Sequence, residues 1–126
     1  MGMNEIQLAQ KVIQTGAFTS VFTLKPEQEK ITLKLGVGET LCQAMEECSE
    51  LASVCNQYRR TALMKGQPTS KTSDEAITNL KEELVDAIIC IKELIMILGI
   101  DYDDLEKIEL TTQRVRCQQD MHITRQ

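Results

Sequence analysis

The sequence predicts an all-α protein, a bundle of four to five helices, on three observations. Its 126 residues hold only two prolines and six glycines, so few places force the backbone to turn. Aromatic residues make up 3% and Trp is absent, which leaves an aliphatic, sulfur-rich core. Leu, Ile, Glu, Lys and Gln are abundant, and with few aromatics they favour long helices over a β-sandwich. The length suits one domain, 1–126, and a hydrophobic content of 42% is that of a globular chain.

The elements follow in order. Asn4 to Thr15 reads as a first helix, capped by Asn4, with Ile6, Leu8, Ala9, Val12 and Ile13 on its apolar side and Gly16 at its end. Between 17 and 36, Phe18, Val21, Phe22 and Leu24 suit a loop, and Pro26 suits the start of a short helix to Leu35. A long helix free of internal Gly and Pro then spans about Gly38 to Met64. Lys65 to Ser73, with Gly66 and Pro68, is a polar connection. Ser73 reads as the cap of the next helix, with Asp74 and Glu75 in its first turn; that helix runs to Leu98, where Gly99 stops it. Its main apolar stripe is Leu80, Leu84, Ile88, Ile91, Ile95 and Leu98, with Val85, Ile89 and Met96 opposite. A helix apolar nearly all round is central in a bundle or shared with a second subunit. For so short a chain, a dimer interface is the expectation. A last helix starts at Asp101 or Asp103 and reaches about Cys117.

A net charge of -5, from 19 acidic and 14 basic residues, argues against a nucleic-acid polymer as partner. The longest apolar run, Leu94 to Ile100, is far below the roughly 20 residues that span a bilayer. No basic segment followed by an apolar stretch opens the chain, so a cytoplasmic location is expected. The cysteines (Cys42, Cys48, Cys55, Cys90, Cys117) form no C-x-x-C pair, and four of the five fall on apolar stripes, which suits buried, reduced thiols.

The acids are patterned. Glu46-Glu47-Cys48-Ser49-Glu50 is an E-E-x-x-E run on one long helix, and Glu83-Leu84-Val85-Asp86 is E-x-x-D on the next. Residues three apart share a helix face, so Glu47 pairs with Glu50 and Glu83 with Asp86. Both pairs border apolar residues, where uncompensated carboxylates cost several kcal/mol. Glu50 lies 14 residues before Met64 and Asp86 lies 13 after Ser73. At about 1.5 Å per residue, an antiparallel return sets the pairs at one height. Oxygen-only donors suit Mg2+, or Mn2+, over zinc, and Mg2+ commonly binds phosphate oxygens along with carboxylates. A phosphate ester or anhydride substrate follows.

Glu46-Glu47-x-x-Glu50-Leu51 followed by Glu83-x-x-Asp86-Ala87 closely resembles the MazG-like all-α nucleoside triphosphate pyrophosphohydrolases, over about residues 38–118. Leu98-Gly99-Ile100-Asp101 is similar to that family's turn before its last helix. The resemblance implies Mg2+-dependent cleavage of a (d)NTP to (d)NMP and pyrophosphate, in a house-cleaning or nucleotide-pool role, by dimers or dimers of dimers, which widens the expected assembly to a homodimer or homotetramer. It assigns Glu47, Glu50, Glu83 and Asp86 as metal ligands, with Glu50 also a candidate to orient or deprotonate the attacking water. Glu46 points off that face, and is expected to support the ligands from behind or to be structural. Many relatives carry a Lys, an Asn and an Arg on the last helix. Glu109, Gln113 and Arg116 stand there in this chain, so the Lys is missing. Arg59, Arg60, Lys65, Lys81 and Arg116 are the phosphate-contact candidates, and Tyr58 the base-stacking candidate. His122 reads as a solvated tail residue. A non-catalytic oligomeric helical bundle with solvated acidic faces is the alternative. A di-iron bundle is disfavoured because it calls for Glu-x-x-His.

Overall fold

The computed structural model describes Gln7 and residues 22–64 and 69–124, with side chains described to residue 119. The helix expected over 4–15 falls outside the described residues but for Gln7, which is helical. So do Phe18, Val21, Lys65, Gly66, Pro68 and the side chain of His122. The described residues form no strand; they form α1 (Pro26–Tyr58), a π-helical turn (Arg59–Leu63), α2 (Ser73–Ile97) and α3 (Tyr102–Thr124). No helix among them is long and apolar enough to cross a membrane. The chain divides into two compact units. One is Leu24–Leu98, and the other joins Met1–Thr23 to Gly99–Gln126.

In the first unit, Pro26 opens α1, its fixed φ suiting the first helical position and Glu27 and Glu29 favouring the positive end of the helix. The short helix expected from Pro26 and the long one expected from Gly38 run together, broken at Gly36 (φ 89, ψ 171). That positive φ is open to glycine at little cost. α1 gives way at Arg59 to the π turn, which carries the chain to within one residue of Met64.

α2 returns antiparallel to α1. The fully buried Thr32, near the start of α1, donates its hydroxyl to Glu93 Oε2 near the end of α2 at 2.9 Å. At the other end Asn79 Nδ2 donates to Gln57 Oε1 at 3.5 Å. Between these bonds the facing surfaces are small or polar: Thr40 and Ala44 on α1, Ala87 and Cys90 on α2, all buried, as is Ala76 just beyond Asn79.

The main apolar stripe of α2 lies largely off this pairing. Leu84, Ile88, Ile91 and Leu98 are 43–47% exposed, and Leu80 is half-buried. Of that stripe only Ile95 is buried. A wheel ranks faces by hydrophobicity, whereas two helices approach closely where side chains are small. The face chosen is Ala76–Glu83–Ala87–Cys90, and the large aliphatics remain outside with Leu41 and Met45 of α1. The cysteines depart from expectation too. None of the five is in a disulfide, but Cys42, Cys48 and Cys55 are exposed, Cys117 is half-buried and only Cys90 is buried. Cys48 and Cys55 sit about 100° round α1 from Glu47 and Val54, off the packed face.

Thr72, not Ser73, caps α2. The Thr72 Oγ1 accepts from the Glu75 backbone N–H at 3.2 Å and donates to Glu75 Oε1 at 3.2 Å, a cap one residue earlier than read. Gly99, at φ 63, stops the helix as expected. In the second unit, Asp101 Oδ1 accepts from the Asp103 N–H at 2.9 Å and starts α3. α3 runs to Thr124, beyond the expected Cys117, since residues 118–124 contain no Gly or Pro to end it. Tyr102 Oη donates to the Phe22 carbonyl at 3.4 Å within the same unit.

The cap supplies a direct test. Thr72→Ala is expected to lower stability by about 1 kcal/mol and Ser73→Ala by no more than a few tenths, read from urea unfolding midpoints.

Candidate metal centre

α1 carries Glu47 on the face that meets α2, one turn beyond Ala44; α2 carries Glu83 one turn before Ala87. Burial of the flanking alanines sets the depth of both carboxylates, and both glutamates are half-buried. Glu50 and Asp86, one turn further along each helix, are exposed. Carboxylate oxygens of Glu47, Glu83 and Asp86 lie within 4.8 Å of one another. Glu50 joins them through its charge and a hydrogen bond with Glu83. The matched height expected for the two acidic pairs is therefore what the antiparallel return produces. Glu46 is exposed, stands outside the triad and raises Glu47 only weakly.

Like charges at this range oppose one another's ionisation. Burial first, then the Glu50 and Asp86 charges, push the Glu47 carboxyl above its ordinary value of 4.5. A hydrogen bond with Glu83 works in the other direction. Glu83 rises further, to about 7, through burial, the charge and hydrogen bond of Glu50, and the charges of Glu47 and Asp86. Glu47 Oε2 and Glu83 Oε2 are buried with no hydrogen-bond partner. A buried orphaned acceptor is costly, and two of them turned into one cluster of carboxylates fit a cation. The donors are all oxygen. Burial and the charge of Glu93 push the nearby Cys90 thiol up to about 11, so it stays protonated at neutral pH and offers no thiolate. Such a set holds a hard divalent ion, Mg2+ or Mn2+, better than zinc.

The cationic candidates are scattered. Arg59 is exposed and engaged locally, donating from Nη2 to Asn56 Oδ1 at 2.8 Å and from Nη1 to Met64 Sδ at 3.0 Å. Lys81 is exposed and lies two residues, about 200° round α2, from Glu83. Arg116 is exposed on α3, in the second unit, where Gln113 Nε2 donates to Glu109 Oε1 at 3.3 Å. Lys65 falls outside the described residues. Tyr58, the last residue of α1, is half-buried.

Arg60 differs from the other cations. It lines a hollow of about 280 Å3 with Ser53, Asn56, Gln57, Thr69 and Ser70. Sequence reasoning missed this polar hollow. Its only legible signal was the spacing of Gln57, seven residues after Glu50 and so on the same stripe; the π turn that carries Arg60 has no sequence signature.

Between pH 4.5 and 7 the folded chain holds a proton on Glu83 that the unfolded chain has released, so this group's contribution to stability falls as pH rises through that window. In EDTA, the metal-free protein is expected to lose thermal stability from pH 5 to 8 more steeply than Glu83→Gln, and the variant is expected to melt higher at pH 8. Parallel melting profiles for the two proteins would remove the strained carboxyl from the account.

Compared with known proteins, the chain matches no protein-family model, no curated protein and no solved structure.

Proposed function

We propose that this protein is a Mg2+-dependent nucleoside triphosphate pyrophosphohydrolase of MazG-like type, acting on nucleotide pools in the cytoplasm. The observation that carries the reading is the convergence of Glu47, Glu83 and Asp86 across two antiparallel helices, with two buried oxygens left unpartnered. A stable fold gains nothing from acids arranged this way, whereas a divalent cation with a phosphate-bearing substrate neutralises them.

Glu47, Glu83 and Asp86 would hold Mg2+, or Mn2+, with Glu50 as a fourth ligand. When bound, such an ion polarises phosphoryl oxygens, acidifies water and offsets charge on leaving pyrophosphate. The chain's own work is then positional. Glu47 and Glu83 would hold the ion at the helix interface and through it place the substrate's phosphates there. Glu50, more exposed than either, orients the attacking water and takes its proton. Water adds at the α-phosphorus, the bond to the α–β bridging oxygen breaks, and (d)NMP and pyrophosphate leave.

The exposed stripe Leu84, Ile88 and Ile91 favours homo-oligomeric assembly, a dimer or a tetramer completing a four- to five-helix bundle. That stripe alone would equally serve the second reading, an oligomeric bundle without catalysis; the buried orphaned carboxylates favour the enzyme.

Pyrophosphate release from each common (d)NTP in Mg2+ tests the proposal. Turnover is expected with at least one nucleotide, falling by about 100-fold or more in Glu47→Ala and in Glu83→Ala. Lys81→Ala, on the far side of α2, is expected to stay within about twofold of the parent. An inactive parent, or two acidic variants as active as the parent, would overturn the enzymatic reading.

A further inference from the structure

The opening stretch of α1, residues 26–35, is anchored far more lightly than the rest of that helix. Thr32 alone within it is buried, and Ile31, Leu33 and Leu35 are 46–62% exposed. Past Gly36 the helix is held through the buried Thr40 and Ala44. Gly36 itself, at φ 89 and ψ 171, occupies a region open almost only to glycine. The Thr40 hydroxyl donates to the Gly36 carbonyl at 2.7 Å, which ties this joint to the anchored side. Nothing lies within 4 Å of where a β-carbon on Gly36 or Gly38 would stand, so the joint is uncrowded.

At its other end the stretch is held only locally. The Lys25 side chain makes no cap, and the Glu29 N–H bonds the Lys25 carbonyl at 3.0 Å. Among the described residues one hydrogen bond joins the stretch to α2, from the Thr32 hydroxyl to Glu93 Oε2. That hydroxyl carries a single hydrogen, and a second acceptor, the Gln28 carbonyl, stands at the same 2.9 Å. When the stretch lifts from α2, the hydroxyl keeps the Gln28 carbonyl and the Glu93 carboxylate takes up water. Neither group is orphaned, so breaking the tie avoids the penalty of a buried polar group left unpaired.

We infer that residues 26–35 form a hinged arm, latched to α2 by the Thr32–Glu93 bond, which opens as one body about Gly36 while the acid-bearing part of α1 stays in place. The chain passes from one compact unit to the other between Thr23 and Leu24, and again between Leu98 and Gly99. The arm follows the first crossing directly, and Glu93 stands on the last turns of α2 before the second. The latch therefore ties the two crossings together, and opening it frees the first while α2 continues unbroken towards the second. The arm is independent of the reaction proposed above and of any ion at the carboxylates.

Amide hydrogen exchange on the full chain in EDTA tests it. Residues 30–35 are expected to share one opening free energy, lower than that of residues 44–50, with the step at Gly36. Fraying from the helix end instead gives protection that climbs residue by residue from Pro26 into the anchored part. Such a gradient, or equal protection on both sides of Gly36, overturns the arm. Thr32→Val keeps the shape of the side chain and removes the hydroxyl, and is expected to speed exchange over 30–35 about tenfold while leaving 44–50 unchanged. An effect of Thr32→Val that spreads equally over 44–50, or that is absent from 30–35, overturns the latch.

Discussion

Mutual repulsion among carboxylates held at one level of a helix pair is the constraint on which the rest of this structure turns. Glu47, Glu83 and Asp86 cannot spread apart without separating α1 from α2, because the same two helices are drawn together by Thr40, Ala44, Ala87 and Cys90. Small side chains bring the backbones close, and close backbones bring the acids close. The strain shows chemically as Glu83 titrating near 7 and as two buried oxygens without partners. A cation relieves both at once, and this links packing to function: the residues that make the pair tight also make it a site.

Hydrophobic surface is distributed by the same logic. The helix pair consumes its small and polar faces at the Thr32–Glu93 and Gln57–Asn79 ends and, Ile95 apart, leaves most of its large aliphatics outside. Leu84, Val85, Ile88 and Ile91 on α2 and Leu41 and Met45 on α1 contribute little to this pairing. Their expense in water is sensible only if further helices cover them, which is why assembly belongs with the functional proposal and not with the fold of the pair. The exposed Cys48 and Cys55 follow the outer surface, not the packed one.

Much of this was legible in the sequence, for definite physical reasons. Helix periodicity, scarcity of breakers and Gly99 located α2 to within a residue, because each acts locally. The three-residue spacing and matched heights of the acidic pairs placed Glu47, Glu83 and Asp86 together once an antiparallel return was granted. What failed depended on contacts. The exposure of Cys42, Cys48 and Cys55 was not foreseen, because an apolar stripe marks a face without saying which neighbour covers it. The cap moved from Ser73 to Thr72 because both residues can cap and only the geometry of Glu75 distinguishes them. The run from Pro26 through Gly36 into the long helix was read as two pieces, because a glycine at φ 89 can end a helix or bend one. The hollow around Arg60 was legible only in the placing of Gln57, since it is assembled from α1, a π turn and the connection at Thr69 and Ser70.

The central claim is that the four acids form a cation site, and direct binding of Mn2+ to metal-free protein tests it most closely. Followed by electron paramagnetic resonance at pH 8, the free-ion signal should fall on adding the parent protein and recover on adding excess Mg2+. Glu47→Gln combined with Glu83→Gln should leave that signal undiminished. Equal Mn2+ uptake by the parent and the double variant, or none by either, would contradict the account.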